Sequence, residues 1–156
     1  MVSSMTNFRE VGKMGLNFDK VELGTRLPDV VRHINQDVID RFAVGSFDYN
    51  PIHLDPEWKR KMDLPGGKST IAHGQMTMSF MGTVLTDWAY PVGGKITKID
   101  AKYIKPVLPG DVITSGGTVT EKHFHGPGKN FVVIEISAKN QKGEPVSVGE
   151  AEVVLP

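Results

Sequence analysis

The sequence predicts an α+β domain in which an antiparallel sheet wraps around one buried helix. Three observations carry this expectation. Residues 75–89 form a nearly chargeless run long enough for about four helical turns. From residue 96 onward, period-two patterning marks four successive strand segments. Gly- and Pro-rich turn signals separate those segments. The chain has 156 residues, 39% of them hydrophobic, which suits one core and leaves little room for a second.

Residues 1–16 mix Ser, Gly, Met and Lys without periodicity and read as a loose N-terminal extension; residues 17–156 form the domain. Phe18 to Thr25 and Val30 to Ile34 look extended, with Leu27-Pro28-Asp29 turning between them. Asn35 is an N-cap for a helix over residues 36–44, with Val38, Ile39 and Phe42 facing inward and Gly45 as its stop. Ser46 to Asp55 reads as irregular, broken at Asn50-Pro51. The run from Gln75 to Ala89 is apolar almost all round, the mark of a buried helix, and Pro91 and Gly93-Gly94 end it.

In Ile96 to Tyr103, Lys98, Asp100 and Lys102 alternate with Ile99, Ala101 and Tyr103. Val112 to Glu121, Asn130 to Lys139 and Val146 to Leu155 follow as further strands, so the four read as a meander. The sheet leaves a face or edge for a second copy, and a homodimer or higher homo-oligomer is expected.

Composition narrows the function. Eighteen basic and 18 acidic side chains cancel, which argues against a general nucleic-acid or membrane-surface binder. The absence of Cys removes disulfides, thiolate catalysis and Cys-type metal sites, and fits a reducing compartment. No apolar stretch resembles a signal-peptide core or a bilayer span, so a cytoplasmic address is expected.

The densest polar cluster is Ser46-Phe47-Asp48-Tyr49-Asn50-Pro51-Ile52-His53-Leu54-Asp55. Its Asp48 carboxylate and His53 imidazole, five residues apart beside a proline, can hold one water between them as an acid–base pair. The same residues also suit a plain turn, with Asp48 and Asn50 as turn formers and His53 capping a neighbour. Ile71-Ala72-His73-Gly74 precedes the apolar helix. A glycine there lets a ligand carbonyl approach a free helix N-terminal N–H, or simply permits a tight junction.

Other motifs fall away. Gly66-Gly67-Lys68-Ser69 lacks the first glycine and the strand of a phosphate-binding loop, for Met62 stands where that glycine belongs. No nucleophile elbow surrounds Ser46 or Ser79, and no glycine fingerprint supports a dinucleotide. Glu121, His123 and His125 share a strand face but run into a Gly-Pro-Gly turn, so a solvated hairpin end is expected. His33 and the Met residues at 76, 78 and 81 read as structural.

Three ordered segments carry a resemblance. Phe42 to Pro56, containing Asp48-Tyr49-Asn50-Pro51-Ile52-His53-Leu54-Asp55, resembles the hydratase signature of the MaoC-like, (R)-specific enoyl-CoA hydratases. Ile71-Ala72-His73-Gly74 is similar to that family's second element, and Tyr103-Ile104-Lys105-Pro106-Val107 with Gly110-Asp111 to its third.

The resemblance implies a hot-dog fold, a hydro-lyase of fatty acid metabolism that needs no metal or redox cofactor, and an acyl-CoA or acyl-carrier-protein thioester as substrate. It implies Asp48 and His53 as the catalytic pair and Gly74 as the oxyanion donor. Asn50, Ser46, Phe47 and His73 are the candidates for contact with substrate. A hot-dog thioesterase, a non-catalytic acyl-CoA-binding module and one subunit of a heteromeric hydratase are the rival readings. Two lysine-rich segments are candidates for coenzyme A phosphates: Lys59, Arg60, Lys61 and Lys68, and Lys95, Lys98, Lys102 and Lys105.

Overall fold

The computed structural model describes residues 16–62 and 69–156. The N-terminal extension, apart from Leu16, and the Gly66-Gly67-Lys68 motif lie outside them. Elements run in the order β1 (Val30–His33), α1 (Gln36–Ser46), α2 (Pro51–Leu54), α3 (Pro56–Lys61), α4 (Gly74–Ala89), β2 (Lys95–Tyr103), β3 (Val112–His123), β4 (Phe131–Lys139) and β5 (Pro145–Val154).

Local sequence sets each start. Asn35 caps α1, its Oδ1 accepting the Val38 N–H at 2.9 Å. Asn50 caps α2 by accepting from Ile52, and Asp55 caps α3 by accepting from Glu57 and Trp58 at 2.9 and 3.1 Å. Pro51 and Pro56 occupy the first helical turn, where a missing N–H costs nothing. The stretch from Ser46 to Asp55, expected to be irregular, therefore contains one short helix, α2, and ends on the cap of a second, α3. Asn50-Pro51 opens a helix where the sequence suggested only a break.

Helix α4 lies across the sheet and contacts all five strands. Met76, Met81, Val84, Leu85, Trp88 and Ala89 enter the core. Truncating Met81 or Leu85 to Ala would cost about 2–5 kcal/mol. The opposite stripe is less buried than expected, for Gln75 and Ser79 are exposed and Gly82, Thr83 and Thr86 half-buried. Its hydroxyls bond back to the helix: Ser79 to the Gln75 carbonyl, Thr83 to Ser79 and Thr86 to Thr83. Among the described residues, no helix is long and apolar enough to cross a membrane.

The sheet is antiparallel throughout, in the order β1-β3-β4-β5-β2. Only β3-β4-β5 is a meander. Strand β2 pairs with β5 (Tyr103 opposite Ser147), so the link over residues 104–111 crosses the sheet end to reach β3. That span is three strand spacings, about 14 Å, well within the reach of eight residues. The sheet's inner face supplies Ile113, Val119, Val132, Ile134, Ile136, Ala151 and Val153 to the core.

Two further expectations change. Residues 18–25 are turns, although Phe18 and Val21 are buried. Gly45 sits inside α1, which runs on to Ser46. The left-handed residue that ends it is Phe47 (φ 59°, ψ 20°).

Candidate active site

Four stretches meet at the N-terminus of α4. The link from α1 brings Asp48, α2 brings His53, the extended residues 70–73 bring His73, and the end of β2 brings Tyr103. Main-chain bonds tie them together. Ile71 N–H donates to the Ile52 carbonyl at 3.2 Å, and Ala72 N–H donates to the Val107 carbonyl at 2.7 Å. Gln36, on α1, donates its amide to the His53 carbonyl at 2.9 Å and accepts from the Thr70 hydroxyl at 2.5 Å.

The rings have fixed proton positions. His53 Nδ1 lies 2.8 Å from the Ile71 carbonyl, which can only accept, so Nδ1 carries the proton and Nε2 is bare. Burial pulls the His53 pKa below its ordinary value of 6.5, and the neighbouring His73 lowers it further. The Ile71 bond and the Asp48 charge oppose this. His53 is therefore neutral at pH 7.

Its bare Nε2 stands 3.9 Å from Asp48 Oδ2. That is too long for a direct hydrogen bond, yet a water about 2.8 Å from both atoms would fit. Asp48 Oδ1 accepts from the Asn50 N–H at 3.2 Å, which orients the carboxylate. The Asp48 side chain is half exposed, whereas that of His53 is only 11% exposed.

Asp48, His53 and His73 place one donor atom each within 4.8 Å of one another. The two imidazoles stack at 3.7 Å and 25°. His73 Nε2 is also engaged by the Asp48 carbonyl at 3.0 Å. The arrangement makes a poor cation cradle and a good proton pocket. Glu121, His123 and His125 do not converge. Their exposed hairpin end holds a His123–Glu121 contact at 2.7 Å.

Gly74 opens α4. His73 provides no side-chain cap, and among the described residues no acceptor takes the Gly74 N–H. A Cβ on Gly74 would lie 3.0 Å from Cδ2 and Cε2 of Tyr103, so the ring of Tyr103 packs against the Gly74 Cα. Asn50 serves as a cap, and Ser46 bonds the Phe42 carbonyl at 2.8 Å. Phe47 is 82% exposed beside the pair, and His73 is buried beneath it. Gln36, Thr70 and Tyr103 are the contributors that site reasoning from sequence missed. Their partners lie up to 34 residues away in the chain, and no local pattern reports that.

Four of the eight basic side chains in the lysine-rich segments are engaged. Lys59 turns inward to the Ser69 carbonyl and Arg60 pairs with Glu57. Lys98 faces Glu152 at 3.8 Å, and Lys105 binds Glu144 at 2.9 Å. Lys68 lies outside the described residues.

One antiparallel sheet curled around a single long helix, with an Asp–His pocket at the helix N-terminus, defines a hot-dog domain. Residues 20–141 match the MaoC like domain, and the chain belongs to the MaoC-like family. It is 30% identical to the (R)-specific enoyl-CoA hydratase of Rhodospirillum rubrum, over 81% of this chain and 83% of that one. The fatty acid synthase subunit beta of Schizosaccharomyces pombe is 30% identical over 74% of the chain, which spans only 5% of that much longer protein. Among solved structures, the R-hydratase PhaJ1 of Pseudomonas aeruginosa superposes with a TM-score of 0.76 at 26% identity, covering 90% of this chain and 85% of that one.

Proposed function

We propose that this chain catalyses reversible hydration of a trans-2-enoyl thioester to the (R)-3-hydroxyacyl thioester. The observation that carries the reading is the 3.9 Å gap between the bare His53 Nε2 and Asp48 Oδ2, which suits one water held by two bases. That water's oxygen bonds to C3 while the pair takes one of its protons. The C2=C3 π electrons move toward the carbonyl, and the charge on the thioester oxygen meets the Gly74 N–H. The pair then returns a proton to C2, so H and OH have added across the double bond and the protein is unchanged.

One preorganised donor of this kind contributes about 3 kcal/mol to lowering the barrier. The (R) outcome and the thioester class are supported by the Rhodospirillum rubrum relative, whose name states that specificity. The carrier is coenzyme A or an acyl carrier protein, and the working unit is a homodimer or higher homo-oligomer.

Crotonyl-CoA hydration, followed as loss of enone absorbance, tests this. Asp48→Asn and His53→Asn should each lower kcat by roughly 100-fold or more, the scale of a lost general acid or base. Full activity in either variant would sink the assignment of the pair. Thioester hydrolysis without hydration would sink the reaction class.

A further inference from the structure

We infer that His73 is a positioning residue, which locks the Asp48 loop through its main chain and holds the His53 ring face to face without touching substrate. The inference rests on the hydratase reading of the same pocket. His73 is 1% exposed, and its Nε2 lies 3.0 Å from the main-chain carbonyl of Asp48. Because that carbonyl only accepts, Nε2 carries the proton. Nδ1 is then bare, fully buried and without a donor among the described residues.

The two stacked rings therefore hold opposite tautomers. His53 keeps its proton on Nδ1, away from Asp48, and His73 keeps its proton on Nε2, toward the Asp48 main chain.

This geometry explains how an exposed loop holds a carboxylate in register. Phe47 forces the chain through a left-handed turn just before Asp48, and the Asp48 carbonyl would swing freely without its buried donor. The stacked ring covers one face of His53 at 3.7 Å, and Phe42 backs His73 at 5.0 Å. The charged or titratable groups acting on His53 are Asp48, from the α1–α2 link, and His73, from the start of α4. Helix α1 presents only the neutral Gln36 amide to the His53 carbonyl.

Two substitutions separate the donor from the ring. His73→Phe keeps a stacked ring and removes the donor to Asp48, whereas His73→Gln keeps an amide donor and removes the ring. In His73→Phe, kcat for crotonyl-CoA should fall roughly 10- to 100-fold, the scale of a misplaced catalytic group, with KM unchanged. In His73→Gln most of kcat should survive. The His53 titration, read by NMR on resting protein, should move up toward the ordinary histidine value, and the acid limb of kcat/KM should move with it.

An unchanged kcat in His73→Phe overturns the positioning role, as does a loss confined to KM, which would place His73 on substrate. An unmoved His53 titration in a natively melting His73→Gln overturns the stacking role. The NMR readout needs no turnover. A wild-type protein that hydrates no enoyl-CoA would therefore refute the hydratase reading separately.

Discussion

Gly74→Ala brings one methyl group against one ring. The new Cβ would sit 3.0 Å from two Tyr103 carbons, inside the roughly 3.5–4.0 Å of comfortable carbon contact. Overpacking of this kind costs about 1–3 kcal/mol, while alanine in place of glycine returns up to about 1 kcal/mol of helix propensity. Tyr103 is half exposed, and among the described residues its hydroxyl is held only by the Met78 sulfur at 3.9 Å, so the ring can swing aside. The net destabilisation should therefore be small, about 0–1 kcal/mol.

Activity should respond far more. A methyl at residue 74 and a displaced Tyr103 both crowd the approach of the thioester oxygen to an N–H that itself remains, so kcat should fall by up to roughly 100-fold, the scale of one oxyanion donor put out of reach. The assay is crotonyl-CoA kinetics together with thermal unfolding, on Gly74→Ala, Tyr103→Ala and the double variant. The double variant should regain the stability of Tyr103→Ala alone. Full kcat in Gly74→Ala would refute the need for an uncrowded approach at residue 74, and an undiminished stability loss in the double variant would refute the clash.

Three further outcomes follow from the same geometry. His53 is neutral when folded and its pKa is depressed, so the unfolded chain binds a proton more readily than the folded one. Its stabilising contribution is present above pH 6.5 and is lost as pH falls through the lower folded value; kcat/KM should fall on the same acid side, and a profile flat from pH 7 down to 4 would contradict the base. Phe47→Gly removes a left-handed non-glycine residue whose ring is 82% exposed, and should raise stability by about 0.5–1 kcal/mol in denaturant unfolding; a lower midpoint would contradict this. Gln36→Leu strips partners from the His53 carbonyl and the Thr70 hydroxyl, and should cost about 1–3 kcal/mol as well as activity; an unchanged unfolding midpoint would show that those bonds contribute little.

The elements with a strong period were legible in the sequence. Helix α4 announced itself by lacking charge, and β2 by its alternating lysines and apolar residues. Residues 18–25 misled because Phe18, Val21 and Leu27 are buried through turns, and burial alone gives a strand-like apolar signal. Gly45 misled because a glycine tolerated inside a helix looks like a stop, while the true left-handed residue is an aromatic. The partnering of β2 with β5 was invisible, since pairing of residues as distant as Lys95 and Val154 leaves no local trace. Within the site, Asp48 and His53 stood out as chemistry on a proline-bound loop. The tautomers came only from the carbonyls of Ile71 and Asp48, and a sequence does not show where those point.

The pairing of β2 with β5 also sets a timetable. Tyr103 is held opposite Ser147, and Ile104 N–H donates to the Val146 carbonyl, so the wall of the pocket hangs on β5. The next residues carry Val107, whose carbonyl anchors the strand leading to His73. During synthesis, Asp48 and His53 leave the ribosome about a hundred residues before that anchor's support exists. Tyr103 gains its strand partner only when residues 145–154 dock, and a nascent chain short of them carries Asp48 and His53 without that support.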